Sequence, residues 1–383
     1  MSLRFTFLSS CRGGWGGSEE LWSRGACELA SRGHEVIAFK YGVERSQPRI
    51  RTLEACGVPI RDVGFLLYPQ AACRILRPWI AVPDPLEFYV QRRLRRFKPD
   101  LCIVCQGENF DGVHLANACH QSGFPYVLIC QKASDISWPE NAQHRLGEAA
   151  FRNAQFVYFV SDHNRKLTER QLGFALPAWK VVRNPLLFAH RGSLPMPKIS
   201  QDTLRLACVA RLNINDKGQD MLLELLHQEH WRKRNLEVTF FGDGLHREAL
   251  EACAGYLGLK NVNFAGHVSD IESIWREHHA LVLPSRAEGM PLVALEALAF
   301  GRPCILTPTG GNSELLADGR VGFLAPSIDV PGLNDALERF WRSRDRLEEM
   351  GAASTAYAWE FVGREPGQVL ADELLALTSG DKS

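Results

Sequence analysis

The sequence lacks the features that mark membrane-spanning, secreted or nucleic-acid-binding proteins. Its 383 residues contain no apolar run of about 20 residues that could cross a bilayer, and the first residues lack the apolar core of a signal peptide. The 44 basic and 44 acidic residues balance, so we expect no nucleic acid partner. With 45% hydrophobic and 23% charged residues, the composition is that of a globular protein, which we expect in the cytoplasm.

A regular cysteine framework is also missing. The 11 cysteines follow no repeated spacing, and some, such as Cys208 and Cys304, lie in apolar runs where a free thiol packs like a small hydrophobic group. This use of cysteine is typical of a reducing compartment. Cys102 and Cys105 form a CxxC pattern within an apolar strand-like run, where they face opposite sides of the strand. We therefore expect neither a metal nor a redox site there.

Neither the GxGxxG nor the P-loop spacing of glycines occurs, although a glycine-rich loop is present. Gly13–Gly17 follows an apolar strand, precedes a helix for which Ser18 is the predicted N-cap, and leads into a second strand that ends at Phe39-Lys40. Four glycines in five positions let backbone amides approach a ligand closely; a plain tight turn is the alternative. Because Lys40 stands where a nicotinamide-binding domain has an acidic residue, the pattern disfavours an NAD-dependent oxidoreductase.

Strands alternate with helices through both halves of the chain, which predicts two doubly wound parallel sheets. Prolines and glycines interrupt the alternation at residues 185–203, where we predict a linker. We therefore expect an N-terminal domain over residues 1–190, a second domain over 200–360, and a last helix within 361–383 that packs back on the first domain. Ligands of such sheets bind at the carboxyl ends of the strands, and here between the two domains.

The first domain carries a basic region. Residues 65–82 mix apolar residues with arginines and prolines, and the predicted helix 85–97 carries Arg92, Arg93, Arg95 and Arg96. A solvated helix face is one interpretation. The alternative is peripheral contact with a membrane surface or an acidic acceptor.

The most informative stretch of the second domain is Pro284–Leu298. An apolar strand precedes a loop that contains Glu288, and Pro291 is predicted in the first turn of a helix that carries Glu296. The first amides of that helix would favour an anion, especially a phosphate, between the two carboxylates. The alternative is one surface glutamate and one capping glutamate.

A second segment of the same domain, Val209–Gly218, offers positive charge. Arg211 leaves the carboxyl end of a predicted strand, and Lys217 is expected at the start of the following helix. A forked guanidinium and a compact ammonium are a pair suited to a diphosphate. The alternative is surface salt bridging.

With these segments in order, the chain resembles a retaining glycosyltransferase of family 4 with the GT-B fold, two Rossmann-like doubly wound domains facing a central cleft. The most specific part of the resemblance is the Arg211–Lys217 pair together with Glu288 and Glu296, which have seven residues between them. The segments that carry the rest are Gly13–Gly17, Leu29–Val36, Gly242–Gly244, Gly266–Val268, Gly301–Pro303 and Gly310–Gly311.

The resemblance implies roles for individual residues. Arg211 and Lys217 would neutralise the departing diphosphate, Glu288 would bind the donor sugar, and Glu296 would accept the ribose hydroxyls. The implied catalytic residues are Glu288, Arg211 and Lys217. The implied donor-binding residues are Gly16, Gly17, Arg211, Lys217, Gly242, Val268, Glu288, Met290, Leu292, Val293 and Glu296.

The activity that the resemblance implies is metal-independent transfer of a hexose, with retention, from a UDP- or GDP-sugar to a saccharide or lipid-linked acceptor. Cell-surface polysaccharide or glycoconjugate synthesis would be its setting. Where similar enzymes place a histidine in the first domain, this chain reads Cys130-Gln131-Lys132-Ala133, so Gln131 or Lys132 would stand in. The alternative function is a non-catalytic protein of the same fold that binds a nucleotide sugar or a partner protein.

Overall fold

The computed structural model describes residues 2–64, 85–187, 192–198 and 203–379. All of the stretch 65–82, and part of the predicted linker, lie outside these described residues. The chain divides into two compact units, one made of Met1–Pro185 with Arg364–Ser383 and one made of Leu186–Gly363. In the portions of the chain described, no helix is both long and apolar enough to cross a membrane.

The first unit is built on a seven-stranded parallel sheet with the order β3-β2-β1-β4-β5-β6-β7. Its strands are β1 Arg4–Ser9, β2 Glu35–Lys40, β3 Ile60–Asp62, β4 Leu101–Gln106, β5 Tyr126–Cys130, β6 Phe156–Phe159 and β7 Trp179–Val181. All six residues of β4 are buried, which explains its continuous apolar run. The predicted doubly wound sheet is confirmed.

Helices connect these strands. Those of the first unit, before its last helix, are α1 Ser18–Ser31, α2 Pro48–Ala55, α3 Pro85–Phe97, α4 Val113–Gln121, α5 Asn141–Asn153 and α6 Asp162–Leu172. The prediction that Ser18 caps α1 is wrong, because Gly17 occupies the N-cap position and the Ser18 hydroxyl donates to Glu19 instead. Helix α3 buries Leu86, Val90 and Leu94 and leaves most of its arginines at the surface.

The second unit repeats the architecture on a six-stranded parallel sheet with the order β10-β9-β8-β11-β12-β13. Its strands are β8 Leu204–Val209, β9 Leu236–Phe241, β10 Val262–Gly266, β11 Ala280–Leu283, β12 Cys304–Leu306 and β13 Gly322–Leu324. Its helices are α7 Ile214–Lys217, α8 Gln219–His227, α9 Glu229–Arg232, α10 Arg247–Tyr256, α11 Ile271–Glu277, α12 Leu292–Ala299, α13 Asn312–Leu315, α14 Val330–Arg342 and α15 Leu347–Val362. The second predicted sheet is therefore confirmed as well.

Two adjacent histidines of this unit are buried. Helix α11 ends at Glu277, so His278 and His279 lead into β11 and are 5% and 0% exposed. The His279 Nδ1 accepts the amide proton of Arg205, the second residue of β8, at 3.0 Å. Burial lowers the pKa of His279 to about 4, so its imidazole is neutral at physiological pH.

The last helix, α16 Pro366–Ser379, belongs to the first unit and packs against α1. Gly25 makes this close approach feasible, because a Cβ at that position would lie 2.8 Å from the Leu370 Cδ2. Leu370 and Leu374 are completely buried in the contact. Helix α16 thus contributes buried side chains to the core of the first unit.

Candidate functional site

Lys217 and Glu288, predicted from separate motifs, form a direct ion pair in the second unit. The Lys217 Nζ lies 2.6 Å from the Glu288 Oε1, and the two side chains are 18% and 8% exposed. The prediction that Lys217 begins a helix is wrong: it is the last residue of the one-turn helix α7, which Gly218 ends in the left-handed conformation. A Cβ on Gly218 would lie 2.1 Å from the Pro284 carbonyl oxygen, so glycine allows this approach.

The Glu288 carboxylate is held by its own loop. The Ser285 hydroxyl donates to the same oxygen as Lys217 does, at 2.7 Å. The amides of Arg286 and Ala287 both donate to the Asp216 carbonyl, at 2.8 and 3.0 Å, which ties the loop to α7. The orientation of Glu288 is therefore fixed by side-chain and backbone hydrogen bonds together.

Arg286 provides a second clamp on this loop, and the sequence reasoning did not assign it. Its guanidinium donates two hydrogen bonds to the Asp220 carboxylate, at 2.6 and 2.8 Å, and a third to the Ile214 carbonyl. The bond with Asp220 raises the pKa of Arg286. Burial is the largest single influence on Asp220 and opposes its ionisation, but the hydrogen bond and charge of Arg286, together with backbone amides, outweigh it and lower the pKa of that carboxyl. Sequence spacing does not show that the Asp220 carboxylate lies opposite Arg286. The sequence therefore contained no signal for the role of Arg286.

Arg211 stands apart from the Lys217–Glu288 pair. Its side chain is 74% exposed, and its Nη2 lies 3.8 Å from the Asp216 Oδ2. Its backbone is better fixed, because the buried Gln219 side chain donates to the Arg211 carbonyl at 2.8 Å. The guanidinium can therefore change position without disturbing the end of β8.

Helix α12 presents its N-terminus next to the Glu288 loop. Pro291, predicted in the first turn, is the N-cap residue, and among the described residues no side chain caps the helix. Leu292 and Val293 form the start of the first turn, where amide groups point away from the helix. Glu296 lies in the second turn and is 7% exposed. Glu288, the first amides of α12 and Glu296 thus follow one another within nine residues of the chain.

Glycines line the backbone around these groups. Gly242, with φ +121°, leaves no room for a Cβ, which would lie 2.2 Å from the Ala210 carbonyl beside Arg211. Gly310 approaches the Glu288 carbonyl in the same way, at 2.1 Å. Met290 is buried, and its Cε would be 2.5 Å from a Cβ on Gly311. Val268, half-buried, lies two residues beyond the end of β10.

Gly16 and Gly17 belong to the first unit, at the carboxyl end of β1. Gly17 is the N-cap of α1, and the Gly16 amide donates to the Glu19 Oε2 at 3.1 Å. In this conformation the Gly16 amide already has an anionic partner. An incoming anion would have to replace the Glu19 carboxylate to reach that amide.

Gln131 and Lys132, the two polar residues directly after β5, have different surroundings. The Lys132 Nζ forms an ion pair with Glu108 at 2.5 Å. Gln131 is 5% exposed, and its Nε2 has no hydrogen-bond partner among the residues described. Within the described part of the chain, no group of three or more His, Cys, Asp or Glu is arranged to hold a metal ion.

The match to known families agrees with this architecture. Residues 203–343 match the family model described as Glycosyl transferases group 1, and residues 16–186 match the one described as Glycosyl transferase 4-like domain. The chain belongs to the group 1, family 4-like glycosyltransferases.

Two curated relatives illustrate the range of the family. An alpha-D-kanosaminyltransferase of Streptomyces kanamyceticus is 31% identical over 217 residues, which are 52% of this chain and 55% of that protein. A GDP-mannose-dependent alpha-(1-6)-phosphatidylinositol monomannoside mannosyltransferase of Mycolicibacterium smegmatis is 31% identical over 185 residues, 44% of this chain and 46% of that protein. The chain spans about half the length of these relatives.

Solved structures resemble the chain over nearly its whole length. Anabaena HepE in complex with UDP has a TM-score of 0.76 at 19% identity, covering 99% of this chain and 100% of that one. The apo form of the lipopolysaccharide outer core galactosyltransferase WaaB has a TM-score of 0.73 at 17% identity, covering 98% and 100%. The fold of the chain is therefore GT-B.

Proposed function

We propose that this protein is a retaining, metal-independent glycosyltransferase. It would move a hexose from a UDP- or GDP-sugar to a saccharide or lipid-linked acceptor in polysaccharide or glycoconjugate synthesis. The observation that supports this most is the Lys217–Glu288 pair beside the N-terminus of α12. Relatives named as glycosyltransferases, and a neighbour solved with UDP and glucose, support the same chemistry.

The ion pair suits a site that must hold a diphosphate next to a sugar. The Lys217 ammonium has three N–H donors, and one of them is used on Glu288. The remaining two can donate to phosphate oxygens. The Glu288 Oε1 already accepts from both Lys217 and Ser285, which leaves Oε2 for a hydroxyl of the donor sugar. One pair of residues thereby places positive charge on the leaving group and an acceptor on the sugar.

Two further groups would share the negative charge of the leaving diphosphate. The amides of Leu292 and Val293 at the start of α12 suit a phosphate oxygen. The exposed Arg211 guanidinium can turn towards the same anion. Positive groups around the leaving diphosphate stabilise charge that develops in the transition state, so the proposed reaction would need no metal. Glu296 would accept the ribose hydroxyls.

The proposed reaction proceeds on one face of the sugar. The bond between the anomeric carbon and the diphosphate oxygen breaks, and that oxygen keeps the electron pair. The acceptor oxygen forms a bond to the anomeric carbon on the same face. The acceptor's proton passes to the leaving diphosphate, which balances the reaction and retains the anomeric configuration.

The test is a donor screen followed by turnover with a matched variant. Thermal shifts with UDP, GDP, ADP and their sugars identify the base, and transfer or hydrolysis is then measured with EDTA present. Lys217→Met should lower kcat/KM about 100-fold or more, because it removes charge stabilisation. Lys233→Met is the control, since Lys233 is exposed in its pair with Glu229.

Each unfavourable result has a distinct meaning. Unchanged turnover in a folded Lys217→Met variant would contradict the assigned chemistry. Binding of UDP or GDP without turnover on any acceptor would favour the alternative, a non-catalytic GT-B protein.

For a lipid-linked acceptor, we propose that the protein is cytoplasmic and works at the inner face of a membrane. Helix α3 supports this, because Arg92, Arg95 and Arg96 are exposed while its opposite face is buried. Sedimentation with vesicles rich in anionic lipid at low salt should therefore bring the protein down. Absence of co-sedimentation would remove the membrane part of the proposal and leave the transferase activity untouched.

A further inference from the structure

Lys40 is a buried cation beneath the glycine-rich loop of the first unit. It is the last residue of β2 and is 0% exposed. Its Nζ donates to the carbonyls of Cys11, Gly13 and Tyr41 at 3.2, 2.9 and 3.0 Å. The carbonyls of Cys11 and Gly13 lie in residues 10–17, which join β1 to α1 and contain the glycine-rich loop, so the ammonium is bound to this segment and shielded from solvent.

Glu19 completes the surroundings of this ammonium and reaches the second half of the loop. Its Oε1 lies 3.4 Å from the Lys40 Nζ, and both side chains are 1% exposed. Its Oε2 accepts from the Gly16 amide at 3.1 Å and from the Ser18 hydroxyl at 2.9 Å. A single buried ion pair therefore contacts the loop at both of its ends.

Burying the charges of Lys40 and Glu19 costs free energy, which argues that their arrangement is not incidental. A buried ion is tolerated only when it is paired and its hydrogen-bonding capacity is used. Lys40 meets this condition through the carbonyls of Cys11, Gly13 and Tyr41 and the Glu19 carboxylate. The loop backbone is itself unusual, since Gly13 has φ +94° and a Cβ on Gly42 would lie 3.0 Å from the Gly13 carbonyl oxygen.

We propose that Lys40 is a positioning residue that, together with Glu19, fixes the glycine-rich loop, so that the Gly16 amide is held ready for an anion of the donor that takes the place of the Glu19 carboxylate. The proposal rests on the function proposed above. Lys40 itself does not touch substrate, because it is completely buried. Its effect passes through the carbonyls of Cys11 and Gly13 and through the Glu19 carboxylate.

The test compares three variants in the full chain. Lys40→Met leaves the Glu19 charge buried without its partner, and is expected to be the least stable. The double variant Lys40→Met/Glu19→Gln removes both charges and keeps an acceptor for the Gly16 amide, so it should restore stability. The control is Lys180→Met/Glu373→Gln, which removes an ion pair of the same unit whose side chains are 48% and 27% exposed.

Two readouts separate positioning from general stability. In the double variant, amide hydrogen exchange in residues 11–18 should be faster while the rest of the first unit exchanges as in the wild type. The donor kcat/KM should fall about 100-fold, mainly through a higher donor KM, with the acceptor KM unchanged. The control should show neither effect.

The proposal is overturned if the folded double variant keeps the wild-type donor KM and wild-type exchange in residues 11–18. Wild-type protein that turns over no nucleotide sugar would instead contradict the proposed function. The exchange measurement would still decide whether Lys40 holds the loop, because it requires no activity. The two failures are therefore distinguishable.

Discussion

At the scale of single residues, Glu288 is the most constrained group of the candidate site. One carboxylate oxygen accepts from Lys217 and Ser285, and the Glu288 carbonyl is approached so closely by Gly310 that a Cβ there would clash. A side chain fixed on both sides loses little conformational freedom when a ligand binds. This preorganisation is what the proposed sugar-binding role of Glu288 requires.

A buried histidine makes the stability of the second unit depend on pH. His279 is fully buried, and burial lowers its pKa to about 4 from an ordinary value of 6.5. The unfolded chain therefore takes up the proton at a higher pH than the folded chain does. The stabilisation is complete above pH 6.5 and is lost as the pH falls towards 4.

Between pH 7 and pH 5, this difference in pKa should cost about 2 kcal/mol of unfolding free energy. His279→Asn keeps an acceptor for the Arg205 amide and removes the titration, so its stability should depend less on pH. Denaturant unfolding at the two pH values measures the change, with the exposed His227→Asn as control. Identical pH dependence in wild type and His279→Asn would rule out this explanation.

At the scale of elements, the loop before α12 and the turn at Gly310 form one packed arrangement. Gly310 has φ +53°, and an added Cβ would lie 2.1 Å from the Glu288 carbonyl oxygen. Gly319 has a similar φ of +76° but open space around its Cα. Alanine substitutions at the two glycines therefore distinguish the effect of backbone strain, present at both, from the effect of a clash with the Glu288 loop, present only at Gly310.

Gly310→Ala should lower kcat/KM for the donor about 100-fold, because the Glu288 loop must move by about 1 Å to admit the methyl group. Gly319→Ala should cost only the strain of a left-handed alanine, about 1–2 kcal/mol of stability, with near-normal turnover. Steady-state kinetics and thermal unfolding of both variants provide the comparison. Equal loss of turnover in the two variants would be the contrary result.

Elements with a strong local signal were predictable from the sequence. The apolar run before Pro284 and the Leu- and Ala-rich run after Pro291 predicted β11 and α12 nearly as observed. The one-turn helix α7 was not predicted, because four residues are too few for a periodic pattern. Gly218 ends this helix, and the need for glycine there is seen only in its close approach to the Pro284 carbonyl.

The same limit applies to the candidate site. The residue types of Lys217 and Glu288 were predictable from motifs, but their direct ion pair depends on how β8 and β11 lie side by side in the sheet. The Arg286–Asp220 pair was missed for the same reason, since 66 residues separate the two positions. Tertiary packing, which local sequence does not encode, decided both contacts.

At the scale of the whole molecule, the first unit is formed from both ends of the chain. Helix α16 returns to α1 after the second unit is complete, and Leu370 fits against the face that Gly25 leaves open. Ion pairs from Arg24 to Glu365 and from Arg32 to Asp372 flank the contact. The final helix therefore contributes to the stability of the unit that begins the chain.

Leu370→Ala should lower the unfolding free energy by about 2–5 kcal/mol, the usual cost of emptying a buried leucine site. Leu377→Ala, on the same helix but only half-buried, should cost less. Denaturant unfolding, with hydrogen exchange to assign the change to the first unit, measures both. A smaller loss for Leu370→Ala than for Leu377→Ala would contradict the packing described for α16.

The most direct test of the proposed function is a double-mutant cycle on Lys217 and Glu288, with donor turnover as the readout. Lys217→Met and Glu288→Gln should each lower kcat/KM about 100-fold or more. The double variant should be no worse than the poorer single variant, because the two residues act as one unit. Wild-type turnover in either folded single variant, or losses that simply multiply in the double variant, would contradict a site built on this pair.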